Sequence, residues 1–277
     1  MPWMPELFSA PTLERILRRE ANARAAEPVP YFDGVTSGET GALVGSFAGE
    51  PELHHPIRGR VKGRSAFERF IAYTNAWMIE SNAVFSAVER ITTPRRGVEE
   101  IVMTFDSDRG RIDLPMAIVA ERDDDARITE LRLYYSTWPL TGRHANRPPL
   151  LQPDPDLRKS DVVGDYQRAL AAGDADAVVA AFEPDAYVRE PAGGDYIHRG
   201  REQLVSLYER FFSNGGGIAL EHCVVTDDGS CCALEYNVVR WGRTQLPPEA
   251  GLAVYHRGAS GKLASARIYD DTEPPLS

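Results

Sequence analysis

Shifted by 135 residues, the chain lies on itself. Tyr31 falls on Tyr166, Gly38 on Gly173, Val44 on Val179, Phe47 on Phe182 and Pro56 on Pro191. The register returns downstream, with Arg122 on Arg257, Arg132 on Arg267, Tyr134 on Tyr269, Thr137 on Thr272 and Pro139 on Pro274. Between these blocks it slips by a few residues, as Gly63-Arg64 on Gly200-Arg201 shows. A repeat of 20–50 residues would indicate a solenoid, but a unit this long is a whole domain. Two similar domains in tandem are therefore expected, and each candidate site in one half has a counterpart in the other.

The second half has the clearer pattern. Val162, Tyr166, Ala169 and Leu170 form one helical stripe that Gly173 ends as a left-handed cap. Asp174 caps a short helix carrying Val178, Val179 and Phe182, which Pro184-Asp185 breaks. Tyr187 to Glu190 reads as a short strand closed by Pro191. A third helix follows Gly200, with Leu204, Leu207, Tyr208, Phe211 and Phe212 at helical spacing. Longer strands are predicted near 217–226, 230–241, 245–257 and 262–271, separated by Asp227-Asp228-Gly229 and Gly258-Ala259-Ser260-Gly261.

The first half repeats this order. Phe67, Phe70, Ile71, Thr74, Trp77 and Met78 form its third-helix stripe, and strands fall near 84–92, 97–107, 111–122 and 127–137. Helices first and an antiparallel sheet afterwards give an α+β class: two tandem cones, each a curved antiparallel sheet wrapped around helices. Such a cone has an apolar interior suited to a small ligand. Residues 1–29 read as a helical extension with no copy, Leu13, Ile16 and Leu17 sharing a face. The first domain spans 30–140. A linker rich in Pro, Arg and Asp spans 141–159, and the second domain spans 160–277.

Composition narrows the partners. A net charge of −10 argues against nucleic acid or an anionic membrane. No apolar run is long enough to span a bilayer. Met1-Pro2-Trp3-Met4-Pro5 lacks the basic and apolar regions of a secretory signal. Cys223, Cys231 and Cys232 read as free thiols, since neighbours on a strand face opposite ways. A reducing, cytoplasmic location is expected.

The run Val162-Val-Gly-Asp-Tyr-Gln-Arg-Ala-Leu-Ala-Ala-Gly-Asp174, followed by Ala177-Val-Val-Ala-Ala-Phe182 and Val188-Arg-Glu-Pro191, resembles the opening of ketosteroid isomerases. These belong to the nuclear transport factor 2-like superfamily, with SnoaL-like polyketide cyclases, scytalone dehydratase and limonene epoxide hydrolase. The resemblance covers residues 160–272 and, more weakly, 30–139. It implies a cystatin-like α+β barrel in each half. It also implies a pair of domains packed through their sheets, as an intrachain pseudo-dimer or a homodimer. It is less specific for activity, because this fold carries many chemistries.

In the isomerases a carboxylate before a proline is the base, and a tyrosine 24 positions earlier donates to the enolate oxygen. Here Glu190 precedes Pro191, and Tyr166 lies 24 residues before it. The family's second oxyanion donor has no counterpart, its position falling at or near Ala253. Loss of one such donor costs about 10²–10³ in rate. Glu190 at the mouth of an apolar cone would be a general base with a raised pKa, or else an exposed strand-end carboxylate. Tyr166 would be its oxyanion donor or a core tyrosine. Leu234, Tyr236 and Val238, alternating with Glu235 and Asn237, are expected to line the cavity together with Phe182, Tyr208 and Phe211. Tyr236 would be a polar contact or a packing residue.

In the first half His55 precedes Pro56, again 24 residues after a tyrosine, Tyr31. His55, Tyr31, Phe47, Phe70 and Trp77 mark a second pocket, His55 being either a base or an inert polar wall residue. Asp113 resembles part of the epoxide hydrolases' Asp-Arg-Asp arrangement, or belongs to a salt-bridged sheet edge. No ligand set at recognisable spacing surrounds His54, His55, His198 or His222, so neither metal nor cofactor is expected.

The expected function is binding of a small, largely apolar carbonyl compound with cofactor-free proton transfer in the second domain, of isomerase, cyclase or dehydratase type. The alternative is a non-catalytic ligand-binding or protein-interaction protein.

Overall fold

The computed structural model describes residues 29–275. The N-terminal helix expected within 1–29 falls almost wholly outside them.

The first half runs α1 (Tyr31–Ser37), α2 (Thr40–Gly45), β1 (Glu52–His55), β2 (Gly59–Lys62), α3 (Arg64–Glu80), β3 (Val84–Thr92), β4 (Arg96–Ser107), β5 (Gly110–Arg122) and β6 (Ile128–Tyr134), then a short α4 (Trp138–Thr141). The second runs α5 (Val162–Ala172), α6 (Ala175–Ala180), β7 (Phe182–Arg189), β8 (Ile197–Arg199), α7 (Gly200–Phe211), β9 (Ile218–Asp227), β10 (Cys231–Trp241), β11 (Thr244–Arg257) and β12 (Leu263–Ile268). The sheets have matching strand orders, β2-β1-β6-β5-β4-β3 and β8-β7-β12-β11-β10-β9. The fold is α+β, two repeated units each with helices against a six-stranded sheet.

Local chemistry explains the second unit's helices. Asp161 accepts from the amides of Val163 and Gly164 at the start of α5, and Gly173 closes it in the left-handed conformation. Asp174 accepts from the Ala177 amide to start α6. That helix ends before Phe182, which opens β7, a correction to its expected helical place. Its side chain packs edge-on against Tyr166, 5.6 Å between centroids, so a strand residue completes the helical stripe. The sheets are mixed rather than antiparallel: β1 pairs parallel with β6, and β7 with β12. Pairing of the first strand with the last is non-local and leaves no turn signal in the sequence.

Helices cover one face of each sheet, and the other faces meet. Ile91, Val98, Ala117, Val119 and Tyr134 of the first sheet form one core with Cys231, Ala233, Leu252, Val254 and Tyr269 of the second. Two buried ion pairs bracket it. Arg132 donates to Glu235 at 2.6 and 2.8 Å, and Tyr134 donates to the same carboxylate at 2.7 Å. At the repeat-related place Arg267 donates to Glu100 at 2.8 and 2.6 Å, and Tyr269 donates to it at 2.5 Å. All four charged residues are about 1–2% exposed, so each pair persists only because both partners and a phenol satisfy it.

The segment 141–159 is tied to both units. Arg147 donates to the carbonyls of Leu133 and His54 at 2.6 and 2.9 Å, while its own carbonyl accepts from Ala250 at 2.8 Å. Cys232 lies in the second unit's core and Cys231 in the core between sheets, as alternation requires; all three cysteines are free. No described helix is long and apolar enough to cross a membrane.

Candidate active site

A cavity of about 350 Å³ opens between the helices and sheet of the second unit, within the range of small-ligand sites. Tyr166 enters it from α5, Tyr208 and Phe211 from α7, and Tyr236 and Val238 from β10. Glu190 and Pro191 form part of its wall just after β7, with Tyr255 from β11 and Asp270 from just after β12. Of the residues expected to line it, Phe182 and Leu234 do not. Both are core residues, and Leu234 borders a separate depression beside Gln167 and His222.

Glu190 and Tyr166 wall the same cavity, yet each is bonded to a different partner. Glu190 Oε1 meets His198 Nε2 at 2.6 Å and accepts from Arg210 at 2.8 Å. An imidazole and a guanidinium therefore hold the carboxylate expected to be poorly solvated. The Tyr166 and Tyr208 hydroxyls share a 3.0 Å hydrogen bond. Burial pushes Tyr166 up to about 12, the hydrogen bond shared with Tyr208 working against that rise, while burial holds Tyr208 well above its ordinary value.

The carboxyl with the more unusual environment is Asp270, two residues past the end of β12, which the sequence reading did not single out. Tyr236 donates to its Oδ2 at 2.8 Å. Burial pushes Asp270 up to about 6, with the Tyr236 hydrogen bond and His144 opposing and the Asp271 and Glu249 charges adding to the rise. Gly251, the cross-strand partner of Tyr236, makes this contact sterically feasible. A Cβ there would stand 2.5 Å from the Tyr236 ring and 2.8 Å from Asp270 Cβ.

The connecting segment supplies another wall. Trp138 and His144 stack at 5.1 Å and both line the cavity. Asp271 fixes them, accepting from Ser136, Thr137 and the Ala145 amide at 2.6, 2.6 and 2.7 Å and meeting His144 Nδ1 at 3.1 Å. Burial acts to lower His144, but Asp271 raises it overall.

The repeat-related positions of the first unit hold different chemistry. Tyr31, His55 and Tyr135 stand where the second unit has Tyr166, Glu190 and Asp270. His55 Nε2 lies 3.3 Å from the Tyr135 hydroxyl, and its Nδ1 accepts from the amides of Ile57 and Arg58, both at 3.1 Å. An accepting Nδ1 places the neutral ring's proton on Nε2. Burial, with Arg147 and Arg58 nearby, pushes His55 down to about 4. Both ring nitrogens are engaged within the protein. Tyr31 and Phe47 are core residues, and Phe70 and Trp77 pack against that core. Met116, the counterpart of Gly251, is buried there as well.

Asp113 lies on β5, an interior strand rather than an edge, and accepts from Thr104 at 2.7 Å. Contrary to expectation, carboxylates do surround His54: Glu52 and Glu130 offer oxygens within 4.8 Å of it and of each other. Arg60 and Lys62 already hold Glu52, at 2.5 and 2.9 Å, and keep it down at about 2. Arg132 pairs with Glu130. These cations neutralise the carboxylates a metal would need.

Comparison with known proteins locates this geometry. Residues 163–266 match the SnoaL-like domain family. Solved structures resembling the chain include a cystatin-fold protein from Novosphingobium aromaticivorans, 19% identical with a TM-score of 0.34, covering 39% of this chain and 93% of that one. Another is a protein from Catenulispora acidiphila with a ketosteroid isomerase-like fold, in complex with trimethylamine, 15% identical with a TM-score of 0.35, covering 42% and 89%. A third is SalBIII, an epoxide hydrolase/cyclase-like enzyme in pyran ring formation in the polyether salinomycin, 14% identical with a TM-score of 0.33, covering 42% and 92%. No curated protein matches the chain.

Proposed function

Residues 163–266 form a SnoaL-like domain, and from that premise we propose that its cavity binds a small, largely apolar carbonyl compound and moves a proton on it. Asp270 carries the proton. Its carboxyl sits at about 6, so both of its forms are populated near neutrality, the condition for efficient general acid–base catalysis. As carboxylate it removes a proton from the carbon beside the carbonyl. Tyr166, accepting from Tyr208, donates its own hydroxyl to the oxygen on which negative charge grows. Return of the proton to another carbon gives isomerisation; attack of the carbanion on a second carbonyl gives cyclisation; expulsion of a hydroxide gives dehydration.

Glu190 takes a different role from the expected one. Held by His198 and Arg210, it fixes the cavity mouth. The two carboxyl groups of the site thus stand in different surroundings, Glu190 ion-paired at the mouth and Asp270 buried against a phenol. Asp270 also supplies a carboxyl to a site that the Ala253 position leaves short of one. The observation carrying this reading is the Tyr236–Asp270 hydrogen bond inside the cavity.

A non-catalytic binding protein is the second reading, favoured by the ion-paired state of Glu190. The two are separated by identifying a co-purified ligand by mass spectrometry, then assaying enone and polyketide-like compounds with wild type, Asp270→Asn and Glu190→Gln. Turnover that fails only with Asp270→Asn supports proton transfer by Asp270. Tight binding with no turnover in any form supports the receptor.

A further inference from the structure

Away from the cavity, three side chains with strong affinity for metals meet where the first unit's edge strand β3 lies against the second sheet. Cys231 Sγ, a ring nitrogen of His256 and a carboxylate oxygen of Glu89 all lie within 4.8 Å of one another. Strand register produces this. Cys231 and His256 are direct cross-strand partners on β10 and β11, so their side chains share one face. Glu89 arrives from the other unit. The pairing of β3 shifts register between Ala87 and Glu89, and that of β11 between His256 and Arg257. Such irregularities re-aim side chains and recur beside functional sites.

The charges around the trio point the same way. The Glu52–His54–Glu130 group is already neutralised by arginine and lysine. Among the described residues no cationic side chain pairs with Glu89, whose carboxylate accepts the Arg90 amide at 3.1 Å. The ring nitrogens of His256 have no hydrogen-bond partner among the described residues. The nearby Arg267 is committed to Glu100 through two hydrogen bonds. Two potentially anionic ligands and an imidazole therefore converge with no cationic side chain bonded to any of them among the described residues.

We propose that Glu89, Cys231 and His256 bind a divalent transition-metal ion of the zinc class, fastening the first unit's edge strand to the second unit's sheet. Thiolate, imidazole and carboxylate together select zinc over magnesium or calcium. Zinc–ligand bonds of about 2.0–2.3 Å place ligand atoms roughly 3–4 Å apart, so modest side-chain rotation closes the site. Cys231 is buried while Glu89 and His256 are partly exposed, which leaves a solvent-facing position for a fourth ligand. On binding, the Cys231 thiol loses its proton to solvent and its sulfur bonds the ion. Burial and the Glu89 charge otherwise push that thiol up to about 12.

The test is titration of the metal-free full chain with cobalt(II), followed by absorbance, with zinc as competitor. The expected result is one equivalent bound with a thiolate-to-cobalt band in the near ultraviolet and intense tetrahedral bands in the visible. Cys231→Ser removes the ultraviolet band. His256→Ala, at a half-exposed position, lowers affinity by more than the roughly 100-fold that loss of an outer-shell partner can cost. Zinc raises Tm in the wild type and in His54→Ala but not in His256→Ala. Absence of the thiolate band in the wild type overturns the proposal. So does undiminished affinity in His256→Ala, which also decides the matter should Cys231→Ser fail to fold.

Discussion

Tyr236 donates a 2.8 Å hydrogen bond to Asp270 inside the second unit's cavity, and the bare Cα of Gly251 opposite gives the pair its room. The first unit has Ile101, Met116 and Tyr135 at these three places, where a buried methionine occupies the equivalent of the glycine's space. One fold therefore holds a polar pair in one copy and apolar packing in the other, and the site's polarity follows from three positions.

Replacing Asp270 by asparagine should abolish turnover while stabilising the protein at neutral pH. The folded carboxyl is raised to about 6 from 3.8, so its stabilising contribution is complete below about pH 4 and is lost as pH rises through about 6. Asparagine cannot ionise and keeps a neutral acceptor for Tyr236. Denaturation of both forms should show no gain at pH 4 and a gain of at most about 3 kcal/mol at pH 7.5.

Gly251→Ala should separate Tyr236 from Asp270. The added methyl would stand 2.5 Å from the Tyr236 ring, so the ring must move. Ligand affinity and turnover should both fall, with a stability cost of about 1–3 kcal/mol for overpacking. Fluorescence binding and thermal denaturation measure the two effects separately.

Glu190→Gln should act at the mouth. It removes the charge that His198 and Arg210 balance, and because Arg210 is 46% exposed, solvent screening limits the stability loss to about 1 kcal/mol. Kinetics should show a raised KM with kcat changed far less than by Asp270→Asn.

Arg132→Met should cost about 3–5 kcal/mol by leaving Glu235 buried without its cation. Arg267→Met should cost a similar amount at Glu100, since the two pairs are related by the repeat. Arg132→Met combined with Glu235→Leu should recover most of the loss. Urea denaturation of the four proteins checks this, and a stable single variant would show that the pair is not carrying the interface.

Much of this was legible in the residues. The 135-residue repeat, the spacing of Tyr166 before Glu190-Pro191 and the stripe on α7 all follow from local periodicity. Arg132 on Arg267 and Tyr134 on Tyr269 are visible too, but nothing in the sequence marks Glu235 and Glu100 as their partners, because a buried ion pair shows only when both strands are placed. The strand place of Phe182 is not legible, because its position continues a helical stripe although its backbone is already extended. Asp270 was missed because its partner by repeat is Tyr135, a different residue type. One sequence signal was available: past β12, Ile268 and Asp270 alternate with Tyr269, which faces the other sheet, so Asp270 must face inward.

The most direct measurement is the pH dependence of solvent deuterium incorporation beside the carbonyl of a bound substrate. Wild type and Glu190→Gln should both show exchange rising through a single inflection near pH 6, and Asp270→Asn should show none. An inflection near 6 that survives in Asp270→Asn would contradict the assignment of the proton to Asp270.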